Sequence, residues 1–156
     1  MLEKLGRFVV GGRNAIEDPA AILREAYQDA YERMYMLQEH ADLAPQEHSR
    51  QALESLAQGA RQQIERLRSA LRERDIGLDP QPSPAAPRAS MSHWERLVQD
   101  LERHQASSAR LRDFAIEFAS SHPSVAEFLR RLCEEDARTC ERLRSLIARA
   151  DPQALD

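Results

Sequence analysis

Four long stretches of the chain place apolar side chains at steps of three and four residues. This spacing puts the apolar side chains on one face of an α-helix, so each stretch predicts an amphipathic helix. The predicted helices span residues 19–40, 45–74, 93–120 and 123–150. Because each helix has one apolar face to bury, the simplest arrangement is an all-α four-helix bundle.

Capping signals mark where the predicted helices begin. Asp18 precedes Pro19, which joins an N-cap residue to proline at the first helical position. Ser92 and Glu95 have the spacing of a capping box, in which each side chain binds the backbone N–H of the other residue. Pro45 is expected to open the second helix.

The connection between the second and third predicted helices is the longest. Residues 76–91 hold four prolines, and such a stretch is extended and semi-rigid rather than helical. At about 3.1 Å per residue it reaches roughly 50 Å, whereas helices of this length stand about 35–42 Å tall. We therefore expect two antiparallel hairpins joined by a long crossover. The predicted bundle covers residues 18–151 and follows an N-terminal segment, residues 1–17.

The composition excludes several classes of protein. Apolar residues make up 42% of the chain, which is too many for a disordered protein. The net charge of −4 gives no general attraction for nucleic acid. The longest apolar run near the start, residues 8–10, is too short for a membrane span or a secretory signal. Two cysteines without such a signal predict a cytoplasmic location, where thiols stay reduced.

A segment of the second helix recurs in the fourth helix at an offset of 76 residues. Residues 56–69 read LAQGARQQIERLRS, and residues 132–145 read LCEEDARTCERLRS. The last six positions of the two segments differ only at Ile64 and Cys140. Such a repeat predicts two related hairpins and a bundle with pseudo-twofold symmetry.

Two hairpins, a long crossover and an internal repeat resemble the ferritin-like superfamily, in particular the rubrerythrin and bacterioferritin type. The resemblance covers residues 18–150 and implies a segment like L-A-x-x-E-x-x-H on the second and fourth helices. In that family the Glu and His of this segment, with one further Glu from each of the other helices, bind two iron or manganese ions. Leu56-Ala57 and Leu132-Cys133 keep the start of the segment.

The residues at the implied ligand positions differ from those of the family. The six positions are Gln28, Ala60, Gln63, Ser107, Asp136 and Thr139. Both histidines are replaced, and a single carboxylate cannot hold two metal ions. We therefore expect no metal, no cofactor, and no ferroxidase or peroxidase activity. Another register on the first and third helices would offer Glu25, Glu32 or Glu102.

The function that this pattern favours is that of a non-enzymatic, ferritin-like bundle with a protein-interaction or structural role. We expect a homodimer without a nucleic-acid or membrane partner. The candidate interaction surface is the cluster Tyr27, Tyr31 and Tyr35.

One alternative is a divergent metalloprotein of the oxidoreductase type. It would bind iron or manganese through His104 and Asp136, with Glu102 or Glu135 as a further ligand. Without a metal ion, His104 is expected to pair with Asp136 in a buried polar layer.

The other alternative is a module that binds a small apolar molecule. Ala60, Ser107 and Ser108 are small residues near the predicted centre of the bundle. Because they stand where larger side chains would otherwise lie, they are expected to leave a cavity for such a molecule.

Overall fold

A computed structural model describes residues 18–78 and 91–150. Within these ranges the chain forms four helices and no strand, which confirms the all-α prediction. The N-terminal segment and most of the Pro-rich connection lie outside the described residues, so both stay predictions. The helices are α1 (Pro19–Asp42), α2 (Glu47–Glu73), α3 (His93–Phe118) and α4 (Pro123–Ala150).

The capping signals of α1 and α3 are confirmed. The Asp18 side chain accepts a hydrogen bond from the Ala20 backbone N–H at 3.0 Å, and Pro19 stands at the start of α1. Ser92 and Glu95 form the reciprocal capping box, with donor–acceptor distances of 3.2 and 2.8 Å. These side chains bind backbone N–H groups for which the helix itself supplies no acceptor.

Helix α2 begins two residues after Pro45 rather than at it. Gln46 has an extended backbone (φ −126°, ψ 143°) and is the N-cap, so the first helical residue is Glu47. At its other end the helix is followed by Asp75 in the left-handed conformation (φ 53°). Aspartate adopts this conformation more readily than most residues, which makes it suited to ending a helix.

The helices of each hairpin pack against each other, and the two hairpins pack side by side. Helix α1 contacts α2 and α3, while α4 contacts α3 and α2. Glu25 pairs with Arg110 and Glu32 with Arg103, so residue numbers rise along α1 as they fall along α3. The facing helices of the two hairpins are therefore antiparallel. The same direction holds for α2 and α4, in the pairs Ser55–Arg142 and Gln63–Glu135.

The described chain stops and resumes at opposite ends of the bundle. After α2, the Gly77 carbonyl accepts a hydrogen bond at 3.1 Å from Arg24 Nε, near the start of α1. At the start of α3, Arg96 Nη2 donates to the Leu43 carbonyl at 3.4 Å, just after the end of α1. Residues 79–90 therefore connect two positions that lie a helix length apart.

Buried side chains form two apolar clusters, one on each side of a group of buried polar residues. Leu23 and Leu129 belong to the first cluster and Leu37 and Leu143 to the second, and all four are 0% exposed. Full burial of each such side chain contributes about 1.5–3 kcal/mol of hydrophobic stabilisation. The polar residues between the clusters come from all four helices and include Arg33, Gln63, Ser107 and Asp136.

Candidate functional site

A buried ion pair lies at the centre of the bundle. Arg33 Nη1 of α1 donates to Asp136 Oδ1 of α4 at 2.9 Å, and the two side chains are 4% and 1% exposed. Arg33 Nε also donates to Asp29 Oδ2 at 3.0 Å. Burial acts to lower the pKa of Arg33, but Asp136 and Asp29 together raise it above its ordinary value, so the guanidinium stays charged.

The Asp136 carboxylate receives hydrogen bonds from three helices. Besides Arg33, Ser107 Oγ of α3 donates to Oδ2 at 3.2 Å, and Gln63 Nε2 of α2 donates to Oδ1 at 3.3 Å. A buried carboxylate needs such additional bonds, because the attraction of one cation alone does not offset the loss of water. We call Arg33, Gln63, Ser107 and Asp136 the central polar layer.

Three of the six implied ligand positions converge in the central polar layer. They are Gln63, Ser107 and Asp136, each on a different helix. Gln28 is partly exposed, and no hydrogen bond among the described residues joins it to this layer. Helix α1 therefore contributes Arg33 to this layer, rather than Gln28, which the resemblance implies.

Arg33 is the residue of the layer that sequence reasoning missed. It lies three residues after the buried Ala30 and four before the buried Leu37. This spacing puts Arg33 on the apolar stripe of α1, where a charged residue is unusual. A charge at a stripe position is the sequence signal that could have identified it.

His104 and Asp136 do not form the expected pair. The His104 Nδ1–H donates to the Asp100 carbonyl one turn earlier at 2.8 Å, while Asp136 is bound by Arg33 and two neutral donors. Burial, and then the charge of Arg33, lower the pKa of His104 below its ordinary value of 6.5, so the ring is neutral at neutral pH. The expectation fails because Arg33 already supplies the cation that the carboxylate needs.

The central polar layer does not fit the two-metal centre that the resemblance implies. It contains one carboxylate, Asp136, and a guanidinium lies against that carboxylate. Across residues 18–78 and 91–150, no group of three or more His, Cys, Asp or Glu side chains is placed to bind a metal ion. Iron and manganese require several carboxylate or imidazole ligands, and this donor set does not supply them.

A cleft of about 470 Å³ lies beside the central polar layer, between α2 and α4. Its inner end reaches Arg33, His104 and Asp136, whose side chains are buried. Ala60 and Thr139, two further implied ligand positions, also line the cleft. The small side chains at these positions leave open the space that larger ligand residues would occupy.

Charged residues line the outer part of the cleft. Arg66 binds Glu135 through two hydrogen bonds of 2.5 and 2.6 Å. Arg138 and Arg142 also line the cleft, and neither forms an ion pair within the part of the chain that the structure describes. Such a lining does not suit the apolar molecule expected near Ala60, and the two serines of that hypothesis are not among the lining residues.

A second buried polar group lies near the end of the bundle where α1 ends. His40 Nδ1 and Asp100 Oδ2 are 2.7 Å apart, and both residues are buried. The ring nitrogens of His93 are also buried, and neither has a hydrogen-bond partner among the described residues. Burial, and then the charge of Arg96, lower the pKa of His93. These residues too form no group that could hold a metal ion in the described part of the chain.

One of the three tyrosines expected at an interaction surface lies in the core. Tyr27 is 3% exposed, and its hydroxyl accepts a hydrogen bond from Arg68 Nη2 at 3.2 Å. Because so little of its side chain reaches the surface, Tyr27 is a packing residue. Tyr31 is partly buried against the same apolar cluster, and Tyr35 is 37% exposed.

The sequence matches no protein-family model, and comparison with curated proteins and with solved structures finds no match. Among the described residues, no helix combines the length and the apolar character needed to span a bilayer.

Proposed function

We propose that this protein is a metal-free, ferritin-like four-helix bundle with a non-enzymatic role in protein interaction or structure. The observation that carries the proposal is the buried Arg33–Asp136 pair. In ferritin-like centres, carboxylates surround two divalent cations, whereas here a single guanidinium supplies the positive charge. A divalent cation would be repelled by Arg33 and would find Asp136 already bound to three donors.

The hydrogen bonds of the central polar layer favour a structural role over a catalytic one. The Ser107 hydroxyl donates to the Asp136 carboxylate rather than to a histidine base. A serine becomes a nucleophile when an adjacent base takes its proton, and Asp136 is here engaged by Arg33. The layer therefore holds four helices together through side chains that bind one another.

The proposal includes the long crossover of the ferritin-like topology. Helix α2 has 27 residues and is about 40 Å long. The 13 backbone steps from residue 78 to residue 91 reach about 43 Å when extended. Residues 79–90 are thus long enough to pass along the bundle between the two ends where the described chain stops and resumes.

The proposed interaction role includes a homodimer formed through the exposed side of α1. Tyr35 supports this part because it is an aromatic residue that is 37% exposed, and Tyr31 lies one turn before it. We also propose a cytoplasmic location. Cys133 and Cys140 are both free thiols, as expected for a reducing compartment.

Metal content and native mass of the untagged protein, grown with added iron and manganese, test this proposal. Because the central donor set lacks metal ligands, we expect less than about a tenth of a metal ion per chain, measured by ICP-MS. Native mass spectrometry is expected to show two chains. One or two ions per chain that disappear in an Asp136→Asn variant, but not in the control Glu134→Gln, would refute the metal-free bundle. A mass of one chain would refute the dimer.

A further inference from the structure

The cleft between α2 and α4 has a charge opposite to that of the whole chain. Its lining includes four arginines and two carboxylates, a difference of +2, whereas the chain carries −4. We propose that this cleft binds the phosphate group of a small phosphate ester. The inference goes beyond the proposed function, which requires no ligand, so its failure would leave the metal-free bundle unaffected.

Two of the four arginines are available to an anion. We call Arg138 and Arg142 the cleft arginines; both are exposed on α4. The contact that Arg142 makes is a long hydrogen bond of 3.4 Å to Ser55 Oγ. Glu134, one turn before Arg138, is bound to Arg130 instead. Because the cleft arginines lie four residues apart on one helix, both guanidiniums can reach a single phosphate group.

The carboxylates of the lining do not neutralise the cleft arginines. Asp136 pairs with Arg33, and Glu135 pairs with Arg66. Arg138 also acts electrostatically on Glu135, but less than Arg66 does, and it forms no ion pair with Glu135 among the described residues. Both cleft arginines can therefore still bind a ligand.

The cleft has room for a small molecule. Gly59 and Ala60 of α2 and Thr139 of α4 are small residues of its lining. A Cβ atom at Gly59 would meet no atom within 4 Å beyond its chain neighbours and the backbone of its own helix. The volume of about 470 Å³ is typical of small-molecule sites. Leu56 and Ala60 supply an apolar surface for the organic part of the ester.

A phosphate monoester matches these features better than a monocarboxylate. Its charge of about −1.5 to −2 at neutral pH suits two guanidinium groups. Arginine also binds phosphate oxygens through two parallel hydrogen bonds. Gln62 and Thr139 line the same cleft and can donate further hydrogen bonds to the ester.

Titration calorimetry with phenyl phosphate at low ionic strength tests the proposal. The wild-type protein should bind one molecule per chain, with an affinity that falls as salt is added. The double variant Arg138→Gln/Arg142→Gln should bind at least about tenfold more weakly, because it loses charge-assisted hydrogen bonds. The matched control, Arg112→Gln/Arg144→Gln, removes two exposed arginines outside the cleft lining and should keep the wild-type affinity.

Further measurements locate the ligand and define its class. The amide NMR signals of Gly59 and Thr139 should shift on binding, and all variants should unfold at the wild-type temperature. Inorganic phosphate and succinate are the comparison ligands, and both should bind more weakly than phenyl phosphate. Equal affinity for inorganic phosphate would assign the site to the free ion, and equal affinity for succinate would exclude the phosphate class. No binding of millimolar phenyl phosphate, or an equal loss in the control variant, would rule out the site.

Discussion

The central polar layer and the cleft beside it each contain an ion pair between a carboxylate and an arginine, but the two pairs differ in burial. Asp136 and Glu135 are neighbours on α4, and each binds an arginine. The Asp136 and Arg33 side chains are 1% and 4% exposed, whereas those of Glu135 and Arg66 are 25% and 44% exposed. One step along α4 therefore changes how much water an ion pair keeps.

We call Arg33–Asp136 the inner pair and Arg66–Glu135 the outer pair. Because the inner pair is buried, it constrains how the helices pack. Arg33 and Asp136 have lost their water, so each charge depends on the other and on the donors that surround it. The outer pair keeps much of its water, and exposed pairs contribute only about 0–1 kcal/mol. The central polar layer therefore holds the helices in place, while the outer groups can exchange partners.

The largest expected effect comes from removing one member of the inner pair. An Arg33→Leu variant leaves Asp136 buried without a cation. We expect the free energy of unfolding, measured in urea, to fall by about 3–5 kcal/mol.

The double variant Arg33→Leu/Asp136→Leu is the matched control. Replacing both charges removes the unpaired carboxylate, so we expect most of the lost stability to return. If the single variant lost less than about 1 kcal/mol, the inner pair would behave like an exposed one, and the distinction between the two regions would fail.

A smaller effect is expected in the pH dependence of stability. Burial and the charge of Arg33 lower the pKa of His104 in the folded protein, whereas the unfolded chain has the ordinary value of 6.5. Below about pH 6.5 the unfolded state therefore binds more protons than the folded state, and the free energy of unfolding decreases as the pH falls. A His104→Gln variant should show a shallower decrease, measured by urea unfolding at a series of pH values.

The exposed His122 provides the control for this experiment. Its ring is exposed and contacts Phe118 rather than Arg33, so a His122→Gln variant tests the same substitution away from the central polar layer. If the wild type and His104→Gln lost the same unfolding free energy as the pH fell, His104 would not contribute to the pH dependence of stability.

The smallest effect is expected from the outer pair. An Arg66→Gln variant should lose at most about 1 kcal/mol of unfolding free energy, because Glu135 remains partly hydrated. The loss should shrink further in high salt, where exposed charges are screened. If Arg66→Gln lost more than about 2 kcal/mol and salt did not change this loss, the outer pair would behave like a buried ion pair.

Most of the central polar layer could be predicted from the sequence, although its chemistry could not. The ferritin-like segment that Leu56-Ala57 and Leu132-Cys133 resemble implies the register that singles out Gln63 and Asp136. On α1 the resemblance implies Gln28, while the structure uses Arg33. The partner of Arg33 lies 103 residues away in the chain, so its burial has no local explanation.

The cleft is not the cavity that the sequence predicts for an apolar molecule. Ala60 lines it, whereas Ser107 and Ser108 do not. The arginines of α4 alternate with glutamate in the sequence, which is typical of a solvated helix face. Only the packing of α2 against α4 shows that Arg138 and Arg142 face the same space as Arg33.

The sequence by itself determined the helices, because capping and apolar periodicity depend on residues within about one turn of each other. Asp18, Ser92 and Glu95 act through neighbours two or three positions away. The tertiary structure alone decided which charges were buried and which stayed available. A charge can enter the core only where distant helices supply its partner, and that requirement is met when the four helices pack.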